Sequence, residues 1–552
     1  MPADIVRLDE KRLRKTGPAR LARHIMGLPA KRRLEMILER PDAQAVVAGL
    51  DANDFYHTLQ EIGPDDALPL LALASIEQVN HLFDIEWWRR DALEPAKALG
   101  WIDRLTRAGG TVLFQWLSNA DFELLVSLFK QCISVDTIPE DIDLLEAVES
   151  LPPRTLDNHY FWESRYPQYD DMIVQLLSVI FEISYGFFQE LLNSVLYAPS
   201  PEVEELAYDF HRARLQDHGI PDYYDALEIY KAIGASQFAR KAASLQTAEE
   251  RSAPGFALAL LPPGDLFAKT VAGLEDPDLI ETLQWETAAL ANKVIVADRL
   301  SPGDSQALRR AVDKTLAYVN LGLELRCGAR AQRAEQILRD NFLEHLFRLA
   351  QAEIARVRGR LRATVQGGWL AHWPGGIKRL DGEWFDAAEE LLTSTPEISR
   401  NSQGEASRLY DFFRTPSDLA RADHFVDVII GAGELYLRLS GREQEVEPLT
   451  GREEVTLGMF VMTVAANLLV CGELSPRPLR QSSWPEIFPL VQPRAISGAV
   501  RELIELHTGA TGAKEPAREY FEPILRDYEE EMRPFSWQNP PDSNLVRFFV
   551  FS

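Results

Sequence analysis

Between Pro29 and Val135 the apolar side chains recur at the helical period, in bursts too short to be stable helices on their own. Leu34, Ile37 and Leu38 make one stripe, and Phe55, Leu59 and Ile62 make the next, behind the acidic start at Asp51 and Asp54. Pro64, Asp65 and Asp66 then open a segment with Ala67, Leu70, Leu71 and Ala74 on one face. Ser75 followed by Gln78 reads as a capping box ahead of Val79, Leu82 and Phe83. Further on, Asp121 opens a segment carrying Phe122, Leu125, Val126 and Phe129. The i, i+3, i+4, i+7 spacing predicts helices. Nucleation is costly, so helices of two or three turns persist only by packing on neighbours. The expected fold class is therefore all-α: a superhelical, solenoid-like stack of short helices at the N-terminus, followed by a larger multi-helix body.

The rest of the chain divides by composition. Residues 1–40 hold 11 Lys or Arg against 5 Asp or Glu, whereas the 552-residue chain carries a formal charge of −26. This predicts a basic arm over residues 1–28 that folds back on an acidic body or meets an anionic membrane surface. The short-helix domain spans 29–138. A helical domain spans 139–246, a long-helix domain rich in Ala, Leu, Arg and Glu spans 256–366, and a helical domain with more loops spans 367–552. Two apolar runs, 172–196 and the uncharged 455–472, are expected as buried core helices. The second has spanning length at its lower limit, but Asn467 lies within it and no basic cluster flanks it. A helix after Pro199 is expected to bury Val203, Leu206, Ala207 and Phe210, to turn Glu205, Asp209 and Arg212 outward, and to stop at Gly219. The C-terminal Phe548, Phe549, Val550 and Phe551 are expected to dock on the core or a partner.

Several chemistries are excluded by charge and spacing. With 84 acidic against 58 basic residues, the long-range field repels nucleic acid. Three well-separated cysteines, Cys132, Cys327 and Cys471, fit a reducing cytoplasm and read as small buried hydrophobes. The first 40 residues lack the uninterrupted apolar core of a signal peptide. No phosphate-binding G-x-x-x-x-G-K-[ST] loop, no G-x-S-x-G elbow and no H-E-x-x-H pair occurs. Ser127 and Lys130 match S-x-x-K, but in an apolar helical pattern and without the accompanying motifs in order. Residues 425–437 (FVDVIIGAGELYL) mimic a dinucleotide fingerprint, yet Tyr436 stands where the third glycine is required. The same stretch places Phe425, Val428, Ile429, Ala432, Tyr436 and Leu439 on one helix face.

Candidate sites remain in two places. The segment 367–384 (GGWLAHWPGGIKRLDGEW) presents Trp369, His372, Trp373 and Trp384 from a glycine-rich loop, a composition suited to a ligand platform or an interface. On the helix after Pro199, Glu204, Glu205, Asp209 and His211 form a candidate Mg²⁺ or Ca²⁺ set, and Arg212 and Arg214 a candidate anion or partner contact. No other cofactor is expected. Residues 158–162 (NHYFW) are a weaker version of the aromatic loop. Glu182, Glu286 and Asn467, polar within apolar helices, are expected to hold packing-specific hydrogen bonds.

Residues 50–86 (LDANDFYHTLQEIGPDDALPLLALASIEQVNHLFDIE) resemble the acidic helical N-terminal domain of MgtE-type magnesium transporters and the helical repeats of the flagellar motor switch. The phrases LASIEQVNHLFDIEWWRRD and EELAYDFHRARLQDHGIPDYYDALEIY make the wider chain similar to an uncharacterised bacterial domain-of-unknown-function family. The first resemblance implies a superhelical stack. Transport does not carry over, because neither a nucleotide-binding-like pair nor several membrane spans follow. The expected function is a non-catalytic cytoplasmic scaffold or regulatory protein that binds a protein partner through helical surfaces. The alternatives are a ligand- or divalent-metal-sensing protein or enzyme with a site in an inter-domain cleft, and a peripheral membrane protein held by the basic arm.

Overall fold

The computed structural model describes residues 17–18, 21–22, 25–89, 91–138, 151–233, 257–300, 305–328, 330–399, 410–440, 449, 452, 454–509, 512–536 and 538–552. The chain forms two compact units. Unit 1 comprises Met1–Val319 and Arg326–Arg348, and unit 2 comprises Asn320–Leu325 and Leu349–Ser552. The fold is all-α, with strands only as small antiparallel pairs or triplets among the described residues. The divisions expected at 139 and 256 both fall inside unit 1, and residues on either side of the first share one hydrophobic core running from Leu21 to Ala207.

In unit 1 the short helices are α1 (Ala30–Leu38), α2 (Ala43–Ala48), α3 (Ala52–Ile62), α4 (Leu68–Leu71), α5 (Ile76–Glu86), α6 (Pro95–Ala108), α7 (Thr111–Leu117) and α8 (Phe122–Cys132). A hairpin of β1 (Trp88–Arg89) and β2 (Ala92–Leu93) separates α5 from α6. The capping box at Ser75 forms: its hydroxyl accepts from Gln78 N at 3.2 Å, and Gln78 Oε1 accepts from Ser75 N at 3.0 Å. The Gln78 amide then donates to the carbonyls of Val47 and Leu50, so the cap also ties α5 to the end of α2. Phe83 stacks on Trp87, and both meet Trp116 edge-on at centroid distances of 5.0 and 5.5 Å. These rings hold the short helices to one another, which no single helix of this length does alone.

Two segments depart from expectation. Residues 160–164 are not a loop: β5 (Tyr160–Ser164) is the centre of a sheet between β3 (Ile133–Thr137) and β4 (Arg154–Thr155), with Ile133 opposite Ser164. The run 172–196 is two helices, α9 (Asp170–Ile183) and α10 (Tyr185–Tyr197). Ser184 breaks it by adopting extended backbone and accepting from Phe187 N as an N-cap. At the described end of the expected basic arm, Leu21, Ala22 and Ile25 belong to the core. Arg32 pairs with Glu35, Arg33 with Glu61 and Arg40 with Asp42, so much of the basic charge after residue 30 is matched locally. Residues 1–16, 19–20 and 23–24 of that arm lie outside the described residues.

Unit 1 continues through α11 (Ser200–Asp217), α12 (Tyr223–Ala226), α13 (Leu266–Ala272), α14 (Pro277–Ala297), α15 (Ser305–Cys327, of which Asn320–Leu325 count with unit 2) and α16 (Ala334–Asp340). Then comes α17 (Leu343–Gly367), at whose start the unit boundary falls. Glu286 accepts from Leu343 N at 2.9 Å, capping α17. Unit 2 holds α18 (Gly382–Leu392), the pair β6 (Ile398–Ser399) and β7 (Tyr410–Asp411), and α19 (Pro416–Leu439). It ends with α20 (Leu457–Cys471), α21 (Trp484–Ile487), α22 (Pro493–Thr508) and α23 (Lys514–Met532). The uncharged run 455–472 is the core helix α20, buried over most of its length, and Asn467 donates to the carbonyls of Ser475 and Arg477. Among the described residues no helix is long and apolar enough to cross a membrane. The C-terminal Phe548, Phe549 and Val550 are buried, and Val550 N donates to Thr463 of α20. Of the cysteines, Cys132 and Cys327 are buried as expected, and burial pushes the Cys132 thiol up to about 12. Cys471 is exposed, because it closes α20 at its solvent end.

Candidate functional site

The glycine-rich aromatic segment of unit 2 is a core plug and not a presented platform. Trp369 and Trp373 are buried, Trp384 is half-buried and His372 is exposed, its Nδ1 at 3.0 Å from the Gly368 carbonyl. Trp369 donates its indole N–H to the Ile429 carbonyl at 3.1 Å and lies against Gly433 of α19, where a Cβ would stand 2.0 Å from the ring. Gly431 on the same helix admits Pro516 in the same way. The glycines that imitate a nucleotide fingerprint thus exist for close packing. Trp373 stacks on Tyr436 at 4.5 Å, and Trp384 stacks between Phe425 and Tyr520. Beneath them the Asp381 carboxylate accepts from Thr456 Oγ1 (2.5 Å), Gly458 N (2.7 Å) and Tyr520 OH (2.8 Å), capping α20. Burial pushes the Asp381 carboxyl above its usual range despite these bonds.

The expected metal set does not assemble. Glu204, Glu205 and Asp209 are exposed on the outer face of α11, whereas His211 is 5% exposed on the inner face. Among the described residues no group of three or more His, Cys, Asp or Glu side chains is placed to hold a metal. The expected apolar face of α11 is also rotated. Leu206 and Phe210 are 48% and 45% exposed, and the buried positions are Ala207 and His211. The reason is a buried carboxylate opposite. Asp84 of α5 receives Arg214 Nε and Nη2, both at 2.7 Å, and faces His211 Nδ1 at 3.3 Å. Arg214 pairs further with Asp121, while Arg212 stays outside at 3.6 Å from Asp222. A bidentate ion pair to a carboxylate 2% exposed sets the rotation of the helix more strongly than two apolar side chains do.

His211 opens onto a cavity of about 160 Å³ inside unit 1. The cavity is walled by α3 (Asn53, Tyr56, His57), α5 (Asp84, Ile85), Trp88 and α11 with its following turn. Asn292, Ile295 and Val296 of α14 and Leu308 of α15 close it. Trp88 lies flat on the His211 ring at 4.6 Å. Gly219 ends α11 in the left-handed region, at φ +74°, and its carbonyl turns toward Asn292. Three further histidines gather at this place. Burial, with the Arg33 charge second, lowers the His57 pKa to about 3. His81 is 1% exposed, and among the described residues neither ring nitrogen has a hydrogen-bond partner. Burial, then His218 at 4.5 Å and His57, hold its pKa well below the ordinary imidazole value. Both rings are neutral near pH 7. Tyr56 donates to Glu86 at 2.8 Å, and burial beside that carboxylate raises its pKa well above normal.

The sequence singled out His211 and Arg214, but for other chemistry. It did not reveal Asn53, His81, Asp84 or Asn292, which come from segments up to 239 residues apart. The one local signal was the polar inner edge of α11, which apolar spacing passes over.

A family model described as a family of unknown function (DUF6178) matches residues 10–552. No curated protein and no solved structure matches the chain, so the likeness of residues 50–86 to a transporter domain gains no support.

Proposed function

The chain belongs to the DUF6178 family, whose description names no activity, and from the site itself we propose that unit 1 binds a ring-sized, mostly apolar small molecule and that the protein is a ligand-responsive regulatory protein. One observation carries this reading: a cavity of about 160 Å³ with apolar walls onto which the buried polar side chains His211 and Asn292 open. Concave apolar space with a few convergent polar groups is the usual form of a small-molecule site. Its size is close to the ~150 Å³ that admits benzene. Trp88, stacked on His211, adds a flat wall suited to a ring. The free cysteines Cys132, Cys327 and Cys471 support a reducing cytoplasm as the setting.

The test is a thermal-shift and calorimetric series with toluene, phenol and indole, with Mg²⁺ and Ca²⁺ as controls. A probe at about 100 times its dissociation constant is expected to stabilise the protein by ~2.7 kcal/mol. Leu308→Trp, which fills the space, is expected to abolish the shift. If no ring-sized probe shifts the transition, or if Leu308→Trp responds as the native chain does, the reading fails.

A second reading, a scaffold for a protein partner, has its own observation. The helix that carries His211 inward carries Leu206 and Phe210 outward, flanked by exposed Glu202, Glu205 and Asp209. Such a strip suits a basic amphipathic segment. Anisotropy of a labelled basic amphipathic peptide tests it, with a Phe210→Ser variant required to weaken binding at least fivefold.

A further inference from the structure

Resting on that reading of the cavity, we infer that its ligand is a neutral ring compound carrying N–H or O–H hydrogen-bond donors. Three carboxylates, Asp84, Asp51 and Glu86, fix where the protons lie around the cavity.

Asp84 is held by two guanidinium hydrogen bonds from Arg214. An ion-paired carboxylate accepts and does not donate, so the hydrogen between Asp84 Oδ1 and His211 Nδ1, 3.3 Å apart, sits on the imidazole. A neutral imidazole protonated at Nδ1 has a lone pair at Nε2. Among the described residues nothing donates to that atom, and His211 lines the cavity.

The second path starts at Asp51. Its Oδ1 accepts from Asn53 N at 2.8 Å and from the Asn53 side-chain amide at 3.1 Å. The same amide nitrogen donates to the His218 carbonyl at 3.3 Å, so both its hydrogens are committed. Asn53 therefore turns its oxygen toward Asn292, whose amide nitrogen stands 3.4 Å from it and 3.5 Å from the Gly219 carbonyl. Both of those neighbours are acceptors, which fixes the orientation of Asn292. Its nitrogen faces them, and among the described residues its oxygen accepts from no donor, on a residue that lines the cavity.

Tyr56 follows the same rule, because its hydroxyl hydrogen goes to Glu86. Carboxylates behind the wall thus draw the donors of three lining residues away from the cavity. Two lone pairs, on His211 Nε2 and Asn292 Oδ1, remain on residues that line the space. A ligand that brings donors satisfies them, and one that brings only acceptors leaves them unpaired or repelled. The buried charge nearest the space, Asp84, is already matched by Arg214, which favours a neutral ligand over a cation.

The experiment compares four probes of one size by isothermal titration on the full chain near pH 7.5: toluene, anisole, phenol and benzylamine. Phenol is expected to bind about tenfold tighter than anisole or toluene, the effect of one well-placed hydrogen bond in a dry site. His211→Phe and, separately, Asn292→Leu are expected to shrink the phenol advantage while toluene still binds. The second variant keeps the conclusion testable if the first does not fold. Equal binding of anisole, toluene and phenol overturns the donor requirement and leaves the cavity reading standing. Tighter binding of benzylammonium than of phenol overturns the neutral ligand. Failure of all four probes, toluene included, overturns the cavity reading and this inference with it.

Discussion

The two units bury polar side chains in opposite ways. In unit 2 the polar groups beneath the tryptophans close on protein, the Trp384 indole N–H alone in this cluster lacking a partner among the described residues. Asp381 takes three donors, Arg379 reaches the carbonyls of Pro374, Arg452 and Val455, and Trp369 bonds the Ile429 carbonyl. Glycines at 431, 433 and 458 let the partners come close enough to leave no space. In unit 1 His211 and Asn292 line a void, and behind it His81 keeps two buried ring nitrogens without a partner among the described residues. Unusual local composition marks the first arrangement and ordinary composition hides the second. Closed polarity specifies packing, whereas open polarity beside a cavity specifies a guest.

The largest test of this contrast is Trp373→Ala. The side chain is 1% exposed, stacked on Tyr436 and meeting Phe460 edge-on, with the Arg379 guanidinium 5.2 Å from its ring. Its removal is expected to destabilise unit 2 by about 4 kcal/mol without changing probe affinity in unit 1. Chemical denaturation and titration on the same sample check both halves. A loss below about 1 kcal/mol would mean that the plug is not packed as a core.

Next in size is Asp84→Ala. It strips Arg214 and His211 of a carboxylate 2% exposed, and breaking such a pair costs about 3 kcal/mol. It also removes the acceptor that fixes the His211 tautomer, so the preference for phenol over anisole is expected to fall with stability. Where the preference survives in folded Asp84→Ala protein, Asp84 does not orient the ring.

These two sites differ in how far the sequence foretells them. The all-α class, the Ser75–Gln78 cap, the stop at Gly219 and the burial of 455–472 are local matters of spacing and capping, and spacing is visible in one dimension. The roles of Glu286 and Asn467 as packing donors and acceptors follow from the same logic, because a polar atom in an apolar helix needs a partner. The face of α11 does not follow. Apolarity assigns Leu206 and Phe210 inward, but the tertiary pairing of Arg214 with Asp84, 130 residues away, turns them out. The Trp369 segment misleads for the converse reason. Clustered tryptophan and glycine read as a display, yet Gly433, 64 positions on, is the space the indole fills. A pairing this distant leaves no periodic trace.

A third effect, smaller per pH unit, separates the units by pH. His57 and His81 are neutral in the folded protein, with pKa values depressed from 6.5, His57 to about 3. Between those limits the unfolded chain binds protons that the native state refuses. Their contribution to stability is therefore complete above pH 6.5 and falls as the pH drops through 6 and 5. The slope is at most about 1.4 kcal/mol per pH unit for each histidine. Urea midpoints at pH 7.5, 6.0 and 5.0 read this, and His81→Phe is expected to flatten the profile. An unchanged slope in His81→Phe would show that its ring is hydrated or already protonated in the fold.

The smallest effect belongs to the outer face of α11. Phe210 is 45% exposed and Leu206 48%, so Phe210→Ser is expected to move stability by no more than about 0.5 kcal/mol in either direction. The inner face of the same helix, through His211, is fixed by Asp84, and the substitution leaves phenol binding in place. A near-neutral change there, set against the loss expected for Asp84→Ala, distinguishes a helix held from inside by its ion pair from one held by its apolar stripe. A loss of 2 kcal/mol or more at Phe210 would mean that the aromatic ring is buried in solution. The rotation that brings His211 to the cavity, and with it the path from Asp84 to the ligand, would then be wrong.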